Sequence, residues 1–291
     1  MEEKVIKKNY NESINIIEKT VIKKYEYAQI NLLIDSDNNK YIEKIQFHIP
    51  PVEHLTFNYD RNGLEIFQSI IEPLNIPHPR IINHTRNDKS TTFLMEFING
   101  INCENEPKIE YLYIAAEKIG IIHNKSIQNF NQLDKNVVEK YILNKEKIFS
   151  YIEIINRHFK VPQINTLIEY IFRKTESQKM FVNHHDIQFK NFIYNYDLHL
   201  IDWDNVKIHP FYSDLYSLFQ LANEVNADIE EIKKRYLRLS QISSITEEDI
   251  YIGGIINSII AVFELIIFDC PIEWINDSYN DLVKLIKLFK L

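Results

Sequence analysis

The spacing of apolar residues changes near residue 100, and this change predicts two structurally different halves. Before it, short apolar runs bounded by turn-forming residues are typical of β-strands. The predicted strands are residues 13–19, 28–34, 41–47, 80–83 and 91–97. One helix is predicted over residues 60–72, where apolar side chains recur at helical spacing before Pro73. The first half is therefore expected to hold three strands, a helix and two more strands.

After Gly100 the apolar pattern becomes mainly helical. The predicted helices are residues 109–122, 137–156 and 164–173, followed by about four helical segments from residue 212 to the end. A β island interrupts them at residues 180–183, 192–194 and 198–201. The fold class is therefore α+β with two lobes. We expect a nucleotide-binding lobe over residues 1–98 and a catalytic and substrate-binding lobe over residues 99–291.

Composition excludes several classes of protein. The chain has 33 basic and 41 acidic residues, a formal charge of -8, which argues against binding to nucleic acid or to an anionic membrane. Two cysteines are too few for a disulfide framework, and the charged N-terminus lacks the apolar core of a secretion signal. The apolar stretch 250–268 is interrupted by Asn257, Ser258 and Glu264, which favours a buried helix over a membrane span. We expect a cytoplasmic protein.

The segment 181–205 carries the groups that phosphoryl transfer to a hydroxyl needs. His184-x-Asp186 is followed five positions later by Asn191, and Asp202 comes directly after the predicted strand 198–201. One carboxylate beside the acceptor hydroxyl can orient it and take its proton, while an amide oxygen and a second carboxylate can hold Mg²⁺ on the phosphates. A loop and the strand that follows it can bring these groups together.

This segment resembles a known family. The residues HHDIQFKN at 184–191 and IDWD at 201–204 resemble the catalytic loop and the metal-binding strand of the aminoglycoside phosphotransferase and choline kinase-like family. Weaker matches at 74–80, 93–97, 115–123 and 213–218 follow in the family's order, so the resemblance spans about residues 14–226. It implies that Asp186 is the catalytic base and that Asn191 and Asp202 hold Mg²⁺.

The resemblance also implies the fold and a nucleotide site. It predicts a two-lobed protein-kinase-like fold, with a small antiparallel β lobe that has one helix and a larger, mainly helical lobe. Lys44 resembles the phosphate-binding lysine of the third strand, and Glu65 resembles its ion-pair partner on the following helix. Glu96 and Ile98 fall in the segment between the lobes, where backbone groups would bind the base of ATP or GTP.

Two departures from the family pattern bear on activity. His185 stands where the family has glycine, and the expected nucleotide loop at residues 20–27 has no glycine, although Lys23 and Lys24 supply charge. Asp204 is either a further acid of the site or a surface charge. These departures leave an alternative open: a catalytically weak or inactive kinase-like binding or structural protein, such as the kinase-like proteins of spore coats.

The first hypothesis is a small-molecule phosphotransferase that uses Mg²⁺ and ATP or GTP. An aminoglycoside or an amino alcohol is the acceptor that fits the negative charge best. A protein kinase is a weaker alternative, because no long activation loop follows Asp202. The sequence leaves the acceptor, the preferred nucleotide and the choice between monomer and dimer open.

Overall fold

The computed structural model describes residues 14–25, 27–48, 63–161 and 163–289, and its N-terminal part is built on one antiparallel sheet. The five strands lie in the order β1-β2-β3-β5-β4. Their bounds are β1 Ile16–Lys24, β2 Ala28–Asp35, β3 Lys40–Phe47, β4 Ile81–Arg86 and β5 Ser90–Glu96. The strand register places Lys44 opposite Ile30 on one side and Phe93 on the other, in the centre of the sheet.

The turn between β2 and β3 lies between two of the predicted strands, residues 28–34 and 41–47. The Asp35 carboxylate accepts hydrogen bonds from the backbone N–H groups of Asp37 and Asn39 and from the Tyr41 hydroxyl. Such a side chain satisfies the turn's backbone donors, which is why aspartate favours turns. The loop expected at residues 20–27 is shorter than predicted, because β1 continues to Lys24 and β2 begins at Ala28.

The predicted helix is found as α1, which begins at Gly63–Ile66 and continues as a π-helical turn over Phe67–Ile71. Residues 60–62 of the prediction lie outside the described residues. The apolar face of α1, including Ile66, Ile70 and Ile71, belongs to the same buried cluster as residues of the second lobe. Burial of this shared apolar surface therefore holds the two lobes together.

The rest of the chain is mainly helical, as predicted. Its helices are α2 Ile109–Asn129, α3 Lys135–Tyr141, α4 Lys145–His158, α5 Ile164–Thr175, α6 Ser213–Val225, α7 Ile229–Ser240, α8 Glu247–Ile267 and α9 Ile272–Leu288. Two small sheets lie among them: β6 Ile101–Asn102 with β8 Phe192–Asn195 and β9 Asp197–Leu200, and β7 Phe181–Asn183 with β10 Lys207–His209. The architecture is α+β, with a small antiparallel lobe and a larger helical one.

Helix α8 contains the apolar stretch that the sequence assigns to a buried helix. By length and composition it could cross a membrane, and 61% of its most apolar window is buried inside the protein. It begins with a capping box in which Thr246 and Asp249 each accept the other's backbone N–H. Its apolar side chains, among them Ile255, Ile259 and Phe263, form a core cluster with α4 and α5. The packing of α8 agrees with the prediction of a core helix.

The segment between β5 and β6 joins the two lobes. Strand β5 ends at Glu96, and β6 begins at Ile101 and pairs with β8 of the helical lobe. The boundary predicted at residue 98 falls in this segment.

Candidate active site

The predicted catalytic loop follows β7, and a buried carboxylate holds its backbone in place. Asp214, at the start of α6, accepts the backbone N–H of His184 at 2.7 Å and that of His185 at 2.9 Å. Burial alone would raise the pKa of Asp214, but the hydrogen bond from His123 and the nearby histidines lower it. A charged acceptor for two consecutive N–H groups fixes the backbone that leads into Asp186.

Asp186 and Asn191 lie in direct contact within this loop. The Asn191 amide nitrogen donates to Oδ2 of Asp186 at 2.9 Å and to the Asp186 carbonyl at 2.8 Å. The amide oxygen of Asn191 is therefore the atom that remains for a cation. The Asp186 side chain is 24% exposed, and Nζ of Lys190 lies 3.8 Å from it. The carboxylate is thus oriented by the loop and still open to a substrate.

Asp202 is brought to the same place by β9 and the residue that follows the strand. The Ile201 N–H donates to the Asn191 carbonyl at 3.0 Å, and Nε2 of His184 contacts the Ile201 carbonyl at 2.9 Å. Asp202 itself has a left-handed backbone, with φ 65°. These bonds tie the catalytic loop to the residue next to Asp202, so the structure brings Asp186, Asn191 and Asp202 together on one side of the helical lobe.

Lys44 reaches this group from the opposite lobe. Its Nζ lies 2.5 Å from Oδ1 of Asp202 and 2.5 Å from Oδ2 of Asp204. Burial alone would lower the pKa of Lys44, but attraction by Asp202 and Asp204 raises it above its usual value. The lysine is therefore charged at neutral pH, and its buried ammonium joins the sheet of the first lobe to two aspartates of the second.

The predicted ion pair between Lys44 and Glu65 is wrong. Lys44 pairs with two aspartates of the helical lobe, whereas Oε2 of Glu65 contacts the Lys140 ammonium and accepts a 2.9 Å hydrogen bond from the Tyr141 hydroxyl. Helix α1 thus turns Glu65 toward α3. The sequence identifies a glutamate on the helix after β3, but the direction in which that helix presents it depends on tertiary packing.

The two residues predicted to bind the nucleotide base lie at the junction of the lobes. The N–H of Glu96 donates to the Arg80 carbonyl at 3.0 Å, so this N–H is engaged within the sheet. Ile98 is half-buried in the segment that follows β5. Contacts of Glu96 and Ile98 with a base remain predictions.

His185 has a left-handed backbone, with φ 63°, at the position where the family pattern has glycine. Its imidazole is buried beneath the loop, where it contacts Nε2 of His209 through Nε2 and Oδ1 of Asn257 through Nδ1. Nδ1 of His209 accepts the Phe211 N–H, so the proton of His209 is on Nε2, which donates to Nε2 of His185. The proton of His185 is therefore on Nδ1, which donates to Oδ1 of Asn257. Burial lowers the pKa of His185 to about 4 and that of His209 well below its usual value. The bulk of His185 therefore lies inside the helical lobe.

The oxygen ligands of the site fit a hard divalent cation. The Asn191 amide oxygen and the Asp202 carboxylate are the donors that Mg²⁺ and Ca²⁺ prefer, and a neutral amide beside a carboxylate leaves positions for water and phosphate oxygens. Among the described residues, no group of three His, Cys, Asp or Glu side chains is arranged to hold a metal ion.

Sequence reasoning left Asp204 undecided and did not identify Gln46. The structure places Asp204 in a 3-10 turn over Trp203–Asn205, directly after Asp202, and Nε2 of Gln46 donates to its Oδ2 at 3.1 Å. The two-residue spacing from Asp202 was the available signal for Asp204. For Gln46 the available signal was its position two residues after Lys44, which places both side chains on the same face of β3.

Comparison with known proteins shows which solved structures share this fold. No family model matches the chain, and no curated protein matches it in sequence. Among solved structures the chain is similar to the choline kinase of Streptococcus pneumoniae, with a TM-score of 0.65 and 15% identity over 94% of both chains. An amicoumacin kinase in complex with AMP-PNP and Ca²⁺ gives 0.63 and 12%, over 93% of this chain and 87% of that one.

A spectinomycin phosphotransferase in complex with ADP and spectinomycin gives a TM-score of 0.58 and 13% identity, over 94% of this chain and 93% of that one. All three cover both lobes. The chain therefore has the two-lobed, protein-kinase-like fold of choline kinases and antibiotic phosphotransferases, as its sequence predicts. The likeness extends along nearly the whole chain, including the final helices that the sequence resemblance did not cover.

Proposed function

We propose that this protein transfers the γ-phosphoryl group of ATP or GTP to a hydroxyl group of a small molecule. One observation supports this proposal above the others. Asn191 contacts Asp186, the residue before Asp202 is hydrogen-bonded to Asn191, and Lys44 of the other lobe contacts Asp202. A scaffold has no need of a base, two cation ligands and a buried ammonium at one cleft. The similarity to kinases that hold adenine nucleotides supports the same reading.

Each side chain has a role in this reaction. Lys44 binds the phosphate oxygens, and Asn191 and Asp202 hold the Mg²⁺ that neutralises charge on the transferred group. Asp186 orients the acceptor hydroxyl and takes its proton as the bond from the acceptor oxygen to the γ-phosphorus forms. The bond from that phosphorus to the bridging oxygen breaks, and the nucleoside diphosphate leaves. Because the transition state is loose, the site contributes mainly positioning and charge.

The acceptor class follows from charge. The chain carries a formal charge of -8, and the proposed catalytic carboxylate of Asp186 is partly exposed. An acceptor that carries an amine beside its hydroxyl would be attracted there. Choline, ethanolamine, spectinomycin and other aminoglycosides are therefore the first acceptors to test.

The test is detection of a phosphorylated product. Purified protein, Mg²⁺ and ATP or GTP are incubated with each acceptor, and the product is identified by mass spectrometry. With a true acceptor, Asp186→Asn should lower turnover by roughly 10²–10⁴-fold. Asp197→Asn, an exposed aspartate at the start of β9, is the matched control and should leave turnover unchanged.

Nucleotide-dependent stabilisation without product from any hydroxyl acceptor would contradict the enzymatic reading. It would favour the scaffold alternative, which the glycine-free β1–β2 turn and His185 kept open. The buried position of His185 weakens that alternative, because its side chain packs against His209 and Asn257 inside the helical lobe.

A further inference from the structure

Asp204 is held by two side chains of the opposite lobe. Its Oδ2 lies 2.5 Å from Nζ of Lys44 and 3.1 Å from Nε2 of Gln46, and its side chain is only 14% exposed. Lys44 and Gln46 both belong to β3, whereas Asp204 follows β9. A carboxylate of the helical lobe thus receives two contacts from one strand of the sheet.

A third element closes this junction. Oε1 of Gln46 accepts the backbone N–H of Gly63, the first residue of α1, at 3.0 Å. A Cβ atom on Gly63 would lie 2.8 Å from Oδ1 of Asp204, so the missing side chain lets the carboxylate approach the helix. Strand β3, helix α1 and the turn after Asp202 therefore meet at Asp204.

Glu65 contacts Lys140 and Tyr141 of α3, whereas the two carboxylates on Nζ of Lys44 belong to Asp202 and Asp204. Both carboxylates on Lys44 therefore come from the helical lobe: Asp202 is the predicted cation ligand, and Asp204 lies two residues after it. A lysine held in this way is oriented only while the two lobes are together.

We propose that Asp204, kept in place by Gln46, is the residue that positions Lys44 for the nucleotide phosphates and keeps the site attractive to a divalent cation. This inference rests on the proposed function, because it concerns the same nucleotide and cation. Asp204 is a positioning residue: it acts on the phosphates through Lys44.

The charges of Lys44, Asp202 and Asp204 predict whether removing Asp204 strengthens or weakens cation binding. The ammonium of Lys44 is shared by two carboxylates, so the three side chains carry one net negative charge, which attracts a divalent cation. Removing the charge of Asp204 makes this group of side chains less negative by one charge, which weakens the attraction for a divalent cation. Metal-free ATP is itself an anion, so in the absence of metal the loss of a repelling carboxylate offsets the poorer placement of Lys44.

The test compares the affinity for AMP-PNP with and without Mg²⁺, measured by calorimetry on the full chain. The quantity of interest is the ratio of the two affinities. Asp204→Asn should lower this ratio about ten-fold, which corresponds to about 1.4 kcal/mol, while affinity in EDTA stays the same or rises. Glu65→Gln, the matched acid-to-amide change, should leave the ratio within about two-fold.

A purely structural role would lower both affinities together and leave the ratio unchanged, so that result with Asp204→Asn overturns the proposal. A fall in the ratio with Glu65→Gln instead would overturn it as well. If Asp204→Asn does not fold, Gln46→Met is the second variant to test. It removes the hydrogen bond from Gln46 to Asp204 and leaves the charge of Asp204 in place. It should lower the ratio by a smaller factor, and an unchanged ratio contradicts the proposal. Absence of AMP-PNP binding by the unaltered protein would defeat the proposed function itself, and the inference with it.

Discussion

Replacing His185 by glycine would relieve backbone strain but remove buried hydrogen bonds, and these two changes have opposite effects on stability. His185 has φ 63°, and a non-glycine residue in the left-handed region costs about 1–2 kcal/mol, which glycine would recover. The family pattern alone would therefore predict that His185→Gly stabilises the protein. The contacts of the imidazole predict the opposite.

The imidazole connects two polar partners inside the helical lobe. Its loss leaves Nε2 of the fully buried His209 without its contact, at about 1–3 kcal/mol, and removes the hydrogen bond to the half-buried Asn257, at about 0.5–1.5 kcal/mol. The space it filled adds a cavity. These losses exceed the gain in backbone freedom, so we expect His185→Gly to lower the free energy of unfolding by about 2 kcal/mol.

The assay is equilibrium unfolding in urea at pH 7.5, with Gln241→Gly as the control. Gln241 ends α7 with φ 56° and is exposed, so its replacement isolates the backbone gain and should stabilise the protein by up to about 1 kcal/mol. A His185→Gly variant that is as stable as the unaltered protein, or more stable, would refute the reasoning about the buried network.

Three further predictions concern stability. Burial lowers the pKa of His185 and His209 in the folded state, so below about pH 6.5 the unfolded chain binds more protons than the folded one. The free energy of unfolding should therefore fall from pH 6.5 toward pH 4 by up to about 1.4 kcal/mol per pH unit for each histidine. Urea unfolding at a series of pH values measures this fall. A flat profile between pH 6.5 and pH 4 would contradict this. Asp214→Asn weakens the acceptor of two backbone N–H groups and should cost about 1–3 kcal/mol in the same assay; a loss under 0.5 kcal/mol would be inconsistent with its contacts. Lys140→Met removes a partly exposed ion pair with Glu65 and should change stability by less than about 1 kcal/mol, and a larger loss would show that this pair anchors the lobes.

The parts of the site that the sequence predicted are those fixed by local spacing. Asp186 and Asn191 lie in one loop, and Asp202 follows the next hairpin, so few backbone conformations separate them widely. Strands and helices with a clear period, such as the hairpin of β2 and β3 and the helix α2, were likewise predictable.

The parts that could not be predicted depend on contacts between distant segments. Lys44 and Asp202 are 158 positions apart, and only the packing of the lobes shows that the lysine reaches two aspartates and not Glu65. The left-handed backbone of His185 is tolerated because its side chain finds His209 and Asn257, which the sequence places far from it. Tertiary hydrogen bonds here outweigh a local preference for glycine.

The most direct test of the central claim is a crystal structure of the protein with AMP-PNP and Mg²⁺. We expect a cation bound by Asn191 and Asp202, phosphates against Lys44, and the terminal phosphate facing Asp186. Nucleotide bound elsewhere on the protein, or a cation held by neither Asn191 nor Asp202, would contradict it.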